Sequence, residues 1–266
     1  MAALVDLAGL QLDALTLQPA DAGTYEGLEE SLYAVDAVGS LVRAERHQAA
    51  IARVGGVIAP PRLGRDGAPV DRAAYGKYVA QCVDAMGFAN ISGVEVLGVH
   101  ARVTRSGVKN RLPNPWGLYR LLCLLAYDQR ARDLLGVALR FNSIHRSGPY
   151  NAAIGGASRS AHRACTARDR VPIGATVREL WRVDRKLRGD RVHLTTAQAR
   201  VLRAVANDYT LSAPFTESVF REPFHAAGLG FRQSADAASY THSGGLGLYG
   251  GFVHADARGR AADWRG

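Results

Sequence analysis

Residues 155–169 read GGASRSAHRACTARD, with His162 seven positions before Asp169. Residues 250–264 read GGFVHADARGRAADW, with His254 two positions before Asp256. A spacing of seven does not stack two side chains strictly on one helix face. It suits one residue on a loop and another on the strand that the loop enters. A spacing of two on a strand points both side chains to the same face. Histidine offers a neutral nitrogen and aspartate an anionic oxygen. His162, Asp169 and His254 therefore supply the three-ligand set of a catalytic zinc site, in which water takes the fourth position. A single carboxylate leaves such a centre net positive, which acidifies the water. Asp256, beside His254, could accept the proton. Spacing alone is a weak signal, because eight histidines in 266 residues produce such coincidences by chance.

Upstream of this stretch, VALRFNSI (137–144) reads as a short buried strand. Before it, NPWGLYRLLCLLAYDQRARDLLG (114–136) is the clearest helix. Leu118, Leu121, Leu122 and Leu125 form an i, i+3, i+4, i+7 stripe, and Gly136 is a good stop. ISGVEVLGVHARV (91–103) is rich in β-branched residues and is expected as a strand or extended segment. VDRAAYGKYVAQCVDAMG (70–87) reads as a helix capped by Asp71 and ended by Gly87. APPRLGRDGAP (59–69) is a Pro/Gly-rich break, and residues 25–56 have helical spacing. Downstream, TVRELWRVDRKLRGD (176–190) and TTAQARVLRAVAND (195–208) read as helices, the second capped by Thr195 or Thr196. The next forty residues read as loop. HSGGLGLYGGFVHADARG (242–259) reads as glycine turns entering a strand. Helix and strand alternate without regular βαβ repetition, which points to α+β and not to a doubly wound sheet.

The chain is long enough to bury a substantial core, and 47% hydrophobic with 21% charged residues is ordinary for a globular protein. No apolar run reaches bilayer length, so no membrane span is expected. The N-terminus has no basic n-region and carries Asp6 and Asp13, so it is not read as a secretion signal. If the substrate lies outside the cell, something else must deliver the protein. The net charge of +9 suits attraction to a polyanion, either nucleic acid or an anionic cell wall. Charge alone does not separate these, and it also fits a plain solvated surface; no recognisable nucleic-acid motif accompanies it, so a nucleic-acid partner is not the first expectation. Three separated cysteines, odd in number and without a CxxC pair, argue against a disulfide framework.

The run SIHRSGPYNAAIGGASRSAH, the aspartate that follows, and the distant GGLGLYGGFVHADARGRAADW together resemble the zinc D-alanyl-D-alanine carboxypeptidase family. These peptidoglycan peptidases share their core with the hedgehog signalling domain. The matching positions are Ser143, Arg146, Ser147, Tyr150, Asn151, Gly155, Gly156, Ser160, His162, Asp169, Val253, His254 and Asp256. Arg258, Gly259 and Trp264 look like one bacterial and phage branch of the family, and NRLPNPWGLYRLL looks like the helix that leads into the domain. The resemblance spans roughly residues 90–266, with an insertion near 205–240. It leaves 1–90 as a helical N-terminal extension, a candidate contact for a virion or wall partner.

The resemblance implies a hedgehog-like α+β fold: a small antiparallel sheet with flanking helices in residues 91–266. It implies Zn2+ held by His162, Asp169 and His254. The activity would be hydrolysis of peptide bonds in peptidoglycan stem peptides, as a carboxypeptidase or endopeptidase, in a phage lysin or virion-associated enzyme. It puts Arg146 near the metal, against a substrate carboxylate or the developing oxyanion. His145, Tyr150, Asn151 and Ser160 would lie toward substrate, with packing open as an alternative for His145 and loop-fixing for Ser160. Asp256 would be the general base or a carboxylate that orients a histidine. The chain departs from the family pattern at His145, which replaces a tyrosine, and at Cys165, where many members have glycine. It departs again at Gly251, three residues before the last histidine, where better-known members carry the base. Gly251 keeps a second reading open: a non-catalytic zinc-containing protein that binds cell wall or builds the virion.

Overall fold

Asp71 begins the first described helix, α1 (Arg72–Ala85), by accepting the backbone N–H of Ala73 and Ala74, both at 2.9 Å. These bonds satisfy amides that the first turn leaves without partners. The computed structural model describes residues 60–63, 69–209, 232–233, 238–241, 244–258 and 260–266. The helix expected over 25–56 and most of the segment 205–240 lie outside the described residues. A second helix, α2 (Gly93–His100), occupies the stretch expected to be extended. Ser92 caps it through Glu95 N–H, and Val96, Val99 and His100 are buried at helical spacing. Gly93 permits close packing on α1, where an added Cβ would stand 2.2 Å from Ala80 O. Tertiary packing overrides the β-branched composition here.

The long helix α3 (Pro115–Leu135) starts at Asn114, which accepts Gly117 N–H at 2.7 Å. It stops at Gly136, with φ 72. The leucine stripe is wholly buried, and so are Cys123 and Leu124 between its members. The helix is therefore covered on several sides and forms the centre of the core. Each of those leucines contributes roughly 1.5–3 kcal/mol by leaving water.

The main sheet contains β1 (Ala138–Ser143), β2 (Ala167–Ile173), β6 (Gly245–Leu248), β7 (Val253–Asp256) and β8 (Ala262–Arg265), in the order β1-β2-β7-β6-β8. The short α4 (Gly148–Ala153) lies between β1 and β2. β1-β2, β2-β7 and β7-β6 are antiparallel, whereas β6-β8 is parallel, so the sheet is mixed. The reason is topological. β7 already has neighbours on both edges, so β8 adds beside β6. A chain that reverses after β7 then runs parallel to β6.

Two further helices, α5 (Val177–Leu187) and α6 (Thr196–Asp208), follow β2. Thr176 and Glu179 form a reciprocal capping box on α5. Thr195 accepts Gln198 N–H ahead of α6. A smaller sheet, ordered β3-β5-β4, joins β3 (Arg191–Leu194), β4 (Arg232–Gln233) and β5 (Ala238–Thr241). Residues of α1, α2, α3, α5, α6 and the main sheet share one buried cluster. The fold is α+β: a small mixed sheet flanked by helices. No helix among the described residues is long and apolar enough to cross a membrane.

Candidate metal centre

One row of residues crosses the sheet. Ser143 on β1 faces Asp169 on β2, Asp169 faces His254 on β7, His254 faces Gly247 on β6, and Gly247 faces Trp264 on β8. Residues opposite one another across a sheet project to the same side. The row therefore defines a front face, with Asp169 and His254 at its middle. His162, on the turn leading into β2, completes the group. His162, Asp169 and His254 each offer one donor atom, and these atoms lie within 4.8 Å of one another. The loop-then-strand arrangement expected from the seven-residue spacing is the one observed.

The hydrogen bonds around the cluster select a donor on each ring. His162 Nδ1 lies 2.5 Å from Ile144 O, and its Nε2 lies 3.2 Å from Asp169 Oδ1. His254 Nδ1 lies 2.8 Å from the same oxygen, and its Nε2 lies 3.2 Å from Asp256 Oδ2. If each ring keeps its proton on the outer partner, the lone pairs of His162 Nε2 and His254 Nδ1 both turn toward Asp169 Oδ1. A backbone carbonyl and a carboxylate are the partners that commonly fix a ligating histidine's tautomer. Two imidazole nitrogens and one carboxylate oxygen match the donor chemistry of zinc.

Burial pushes His162 toward its neutral form, against the opposing pull of Asp169. Burial also disfavours the charged form of His254, but hydrogen bonds to Asp169 and Asp256 outweigh it and raise its pKa. For Asp169, burial works against ionisation, yet the two histidines hold the carboxyl well below the usual range. Asp256 is depressed in the same way, against burial, by His254 and Arg258.

Arg146 reaches the cluster. Its Nη2 donates to Asp169 Oδ2 at 2.5 Å, and its Nε donates to Ser143 Oγ at 2.7 Å. The turn that carries it is pinned by Asn110, whose buried amide donates to His145 O and accepts Ser147 N–H. Asn110 was not legible as a site residue, because its role is to hold backbone across a gap of more than thirty residues.

The other expected substrate residues are placed differently. His145 is buried, and its ring lies 6.1 Å from that of His100. Burial drives its pKa down to about 3. Asn151 is buried and donates to Ala157 O, with its side chain against Gly156. Tyr150 is partly exposed on α4, and Ser160 is partly exposed in the turn before His162. The backbone of Ser160 bonds to Ala157 and Arg163 within that turn. Cys165 is buried with φ 56, a left-handed conformation that glycine adopts more readily, and is not part of the donor group. Asp256 is fully buried behind His254. Gly251 lies at the β6–β7 turn, where an added Cβ would meet nothing within 4 Å.

A charged network on the back of β2 had no motif to announce it. Arg168 binds both oxygens of Asp128 on α3, and Arg170 bridges Asp128 and Asp184 on α5. The only sequence signal is the alternation Arg-Asp-Arg on a strand, which sends Asp169 forward and both arginines backward.

Comparison with curated proteins returns no match, and comparison with solved structures returns none. A family model described as Peptidase M15 matches residues 94–201. The match takes in Arg146, His162 and Asp169 and ends before β7. Over those residues the chain is similar to Peptidase M15, in keeping with the zinc D-alanyl-D-alanine carboxypeptidase resemblance of its motifs.

Proposed function

We propose that this protein is a zinc peptidase that hydrolyses a peptide bond of peptidoglycan. The observation that carries the reading is the convergence of His162 Nε2, Asp169 Oδ1 and His254 Nδ1, with the opposite nitrogen of each ring engaged elsewhere. When bound, zinc supplies a Lewis acid for a water molecule and for the scissile carbonyl.

The chain's own residues do the remaining work. Ile144 O holds the Nδ1 proton of His162 and keeps Nε2 free to ligate. Asp256 holds the Nε2 proton of His254 and keeps Nδ1 free. Of the two roles open for Asp256, this placement supports the orienting one, because its oxygens already accept bonds from His254, Gly245 and Arg258. Arg146, fixed by Ser143 and Asp169, brings a guanidinium beside the cluster. Its planar fork suits the terminal carboxylate of a stem peptide or the charge that develops on a carbonyl oxygen. Tyr150 and Ser160, partly exposed, are the substrate-side candidates, while His145 and Asn151 act by packing. In this reading residues 91–266 carry the peptidase and residues 1–90 meet a wall or virion partner, although α1 also contributes to the common core. The likeness to a bacterial and phage branch supports a lysin or virion-associated role.

Gly251 supports a second reading, a zinc-containing domain that grips the wall without cutting it. Mass spectrometry of soluble fragments from purified peptidoglycan separates the two. Defined peptide fragments are expected from metal-loaded wild type and not with chelator or with His162→Ala. No fragments from a folded, zinc-binding wild type across several wall chemistries would establish the binding reading instead.

A further inference from the structure

We infer that Arg258 and Trp264 are positioning residues that hold His254 in its ligating orientation, acting through Asp256. The inference rests on the metal reading above and extends the centre beyond the residues matched to the family, since all four lie outside 94–201. Asp256 is fully buried, so its charge needs partners on both oxygens. Arg258 supplies most of them. Its Nε donates at 2.9 Å to Oδ1 and 3.0 Å to Oδ2, its Nη2 donates at 2.5 Å to Oδ2, and its backbone N–H donates at 3.1 Å to Oδ1. Gly245 N–H donates to Oδ1 at 2.9 Å. Held this way, the carboxylate cannot rotate, and Oδ2 stays 3.2 Å from His254 Nε2.

Trp264 fixes the other end of this chain of contacts. The Arg258 guanidinium lies 4.8 Å from the centre of the Trp264 ring, a cation–π distance. The indole Nε1–H donates to Tyr249 Oη at 2.9 Å. The ring lies over β6 because that strand presents glycines to the front. An added Cβ at Gly247 would stand 2.5 Å from Trp264 Nε1, and one at Gly245 would stand 2.7 Å from Trp264 Cζ3. The indole centroid is 5.4 Å from that of His254, and the His162 ring lies 5.0 Å away. His254 is thus bounded by Asp169 at Nδ1, Asp256 at Nε2 and Trp264 beside its ring. The Gly245-x-Gly247 alternation, read from sequence as a turn, is a floor for the indole.

The test measures zinc affinity by competition with a chromophoric chelator for wild type, Arg258→Met, Arg258→Lys and Trp264→Leu in the full chain. Thermal unfolding of each metal-free form and 15N-histidine NMR of each zinc-loaded form accompany it. Arg258→Met is expected to weaken zinc binding about 10–100-fold, the usual cost of losing such an outer partner. The His254 Nε2–H signal should be lost or broadened while the metal-free protein stays folded. Arg258→Lys should recover part of the affinity, and Trp264→Leu should lose less than Arg258→Met. Wild-type affinity and an unchanged His254 signal in Arg258→Met overturn the inference. If that variant does not fold, wild-type affinity in both Arg258→Lys and Trp264→Leu overturns it. A folded wild type that binds no zinc overturns the metal reading itself, and this inference with it.

Discussion

Strand β2 carries a charged cluster on each face, built from consecutive residues. Behind the sheet, Arg168 and Arg170 meet Asp128 and Asp184, and all four side chains are completely buried. Tyr127 adds its hydroxyl to Asp184 at 3.1 Å and lies near both guanidinium groups. In front, Asp169 meets two histidines and Arg146, and the His254 and Arg146 side chains keep 13% and 16% of their exposure. The back balances two cations with two anions, and each of its carboxylates is tied to arginine. The front gathers donors whose lone pairs can turn to one point. Charge alone therefore does not distinguish the two faces. What distinguishes the front is donor atoms that converge, with His254 and Arg146 partly exposed beside the buried His162 and Asp169.

The strongest way to break this comparison is Asp128→Ala. It removes the acceptor shared by Arg168 and Arg170 and leaves buried cations without their counter-charge. A stability loss of about 3–5 kcal/mol is expected in denaturant unfolding. A loss below about 1 kcal/mol would rank the back network with surface ion pairs. His162→Ala should destabilise less, because it removes no counter-charge from the back, yet it should abolish peptide release.

Gly251→Glu sharpens the comparison from the front. The site is open, and the family resemblance puts a base there. A carboxylate supplied as general base is expected to raise peptide release by about 10²-fold. An unchanged rate with unchanged zinc affinity would mean that the wild type draws its base from elsewhere.

The smallest effect is in pH. The raised pKa of metal-free His254 means that its proton stabilises the fold below its unfolded value of about 6.5. That stability is lost as pH rises through the raised folded value. Zinc must displace the same proton. Apparent zinc affinity should therefore climb by no more than about tenfold per pH unit up to the raised value, then level. A flat titration from about pH 6 to 8 would remove His254 from the ligand set.

Much of the front was legible because its chemistry is local in sequence. His162 and Asp169 sit on one short loop-strand segment, and His254 and Asp256 alternate on one strand. The cap at Asp71 and the stop at Gly136 were legible for the same reason: each acts within a few residues. Residues 91–103 were misleading, because their β-branched composition favours a strand while Gly93 and the buried side of Val96, Val99 and His100 fit a helix packed on α1. The stretch GLGL was read as a turn, because a glycine's value to a distant indole has no local signature.

The sequence by itself determined the residue types of the His162, Asp169 and His254 cluster, most helix boundaries in the described chain and the α+β class, since these depend on neighbours along the chain. Only the tertiary structure decided that Asp169 and His254 stand opposite each other, that Arg168 and Arg170 find Asp128 and Asp184, and that Trp264 closes the wall beside His254. Those outcomes depend on strand register and on which face of each element the core buries. They link residues dozens of positions apart, and no pattern of spacing along the chain specifies them.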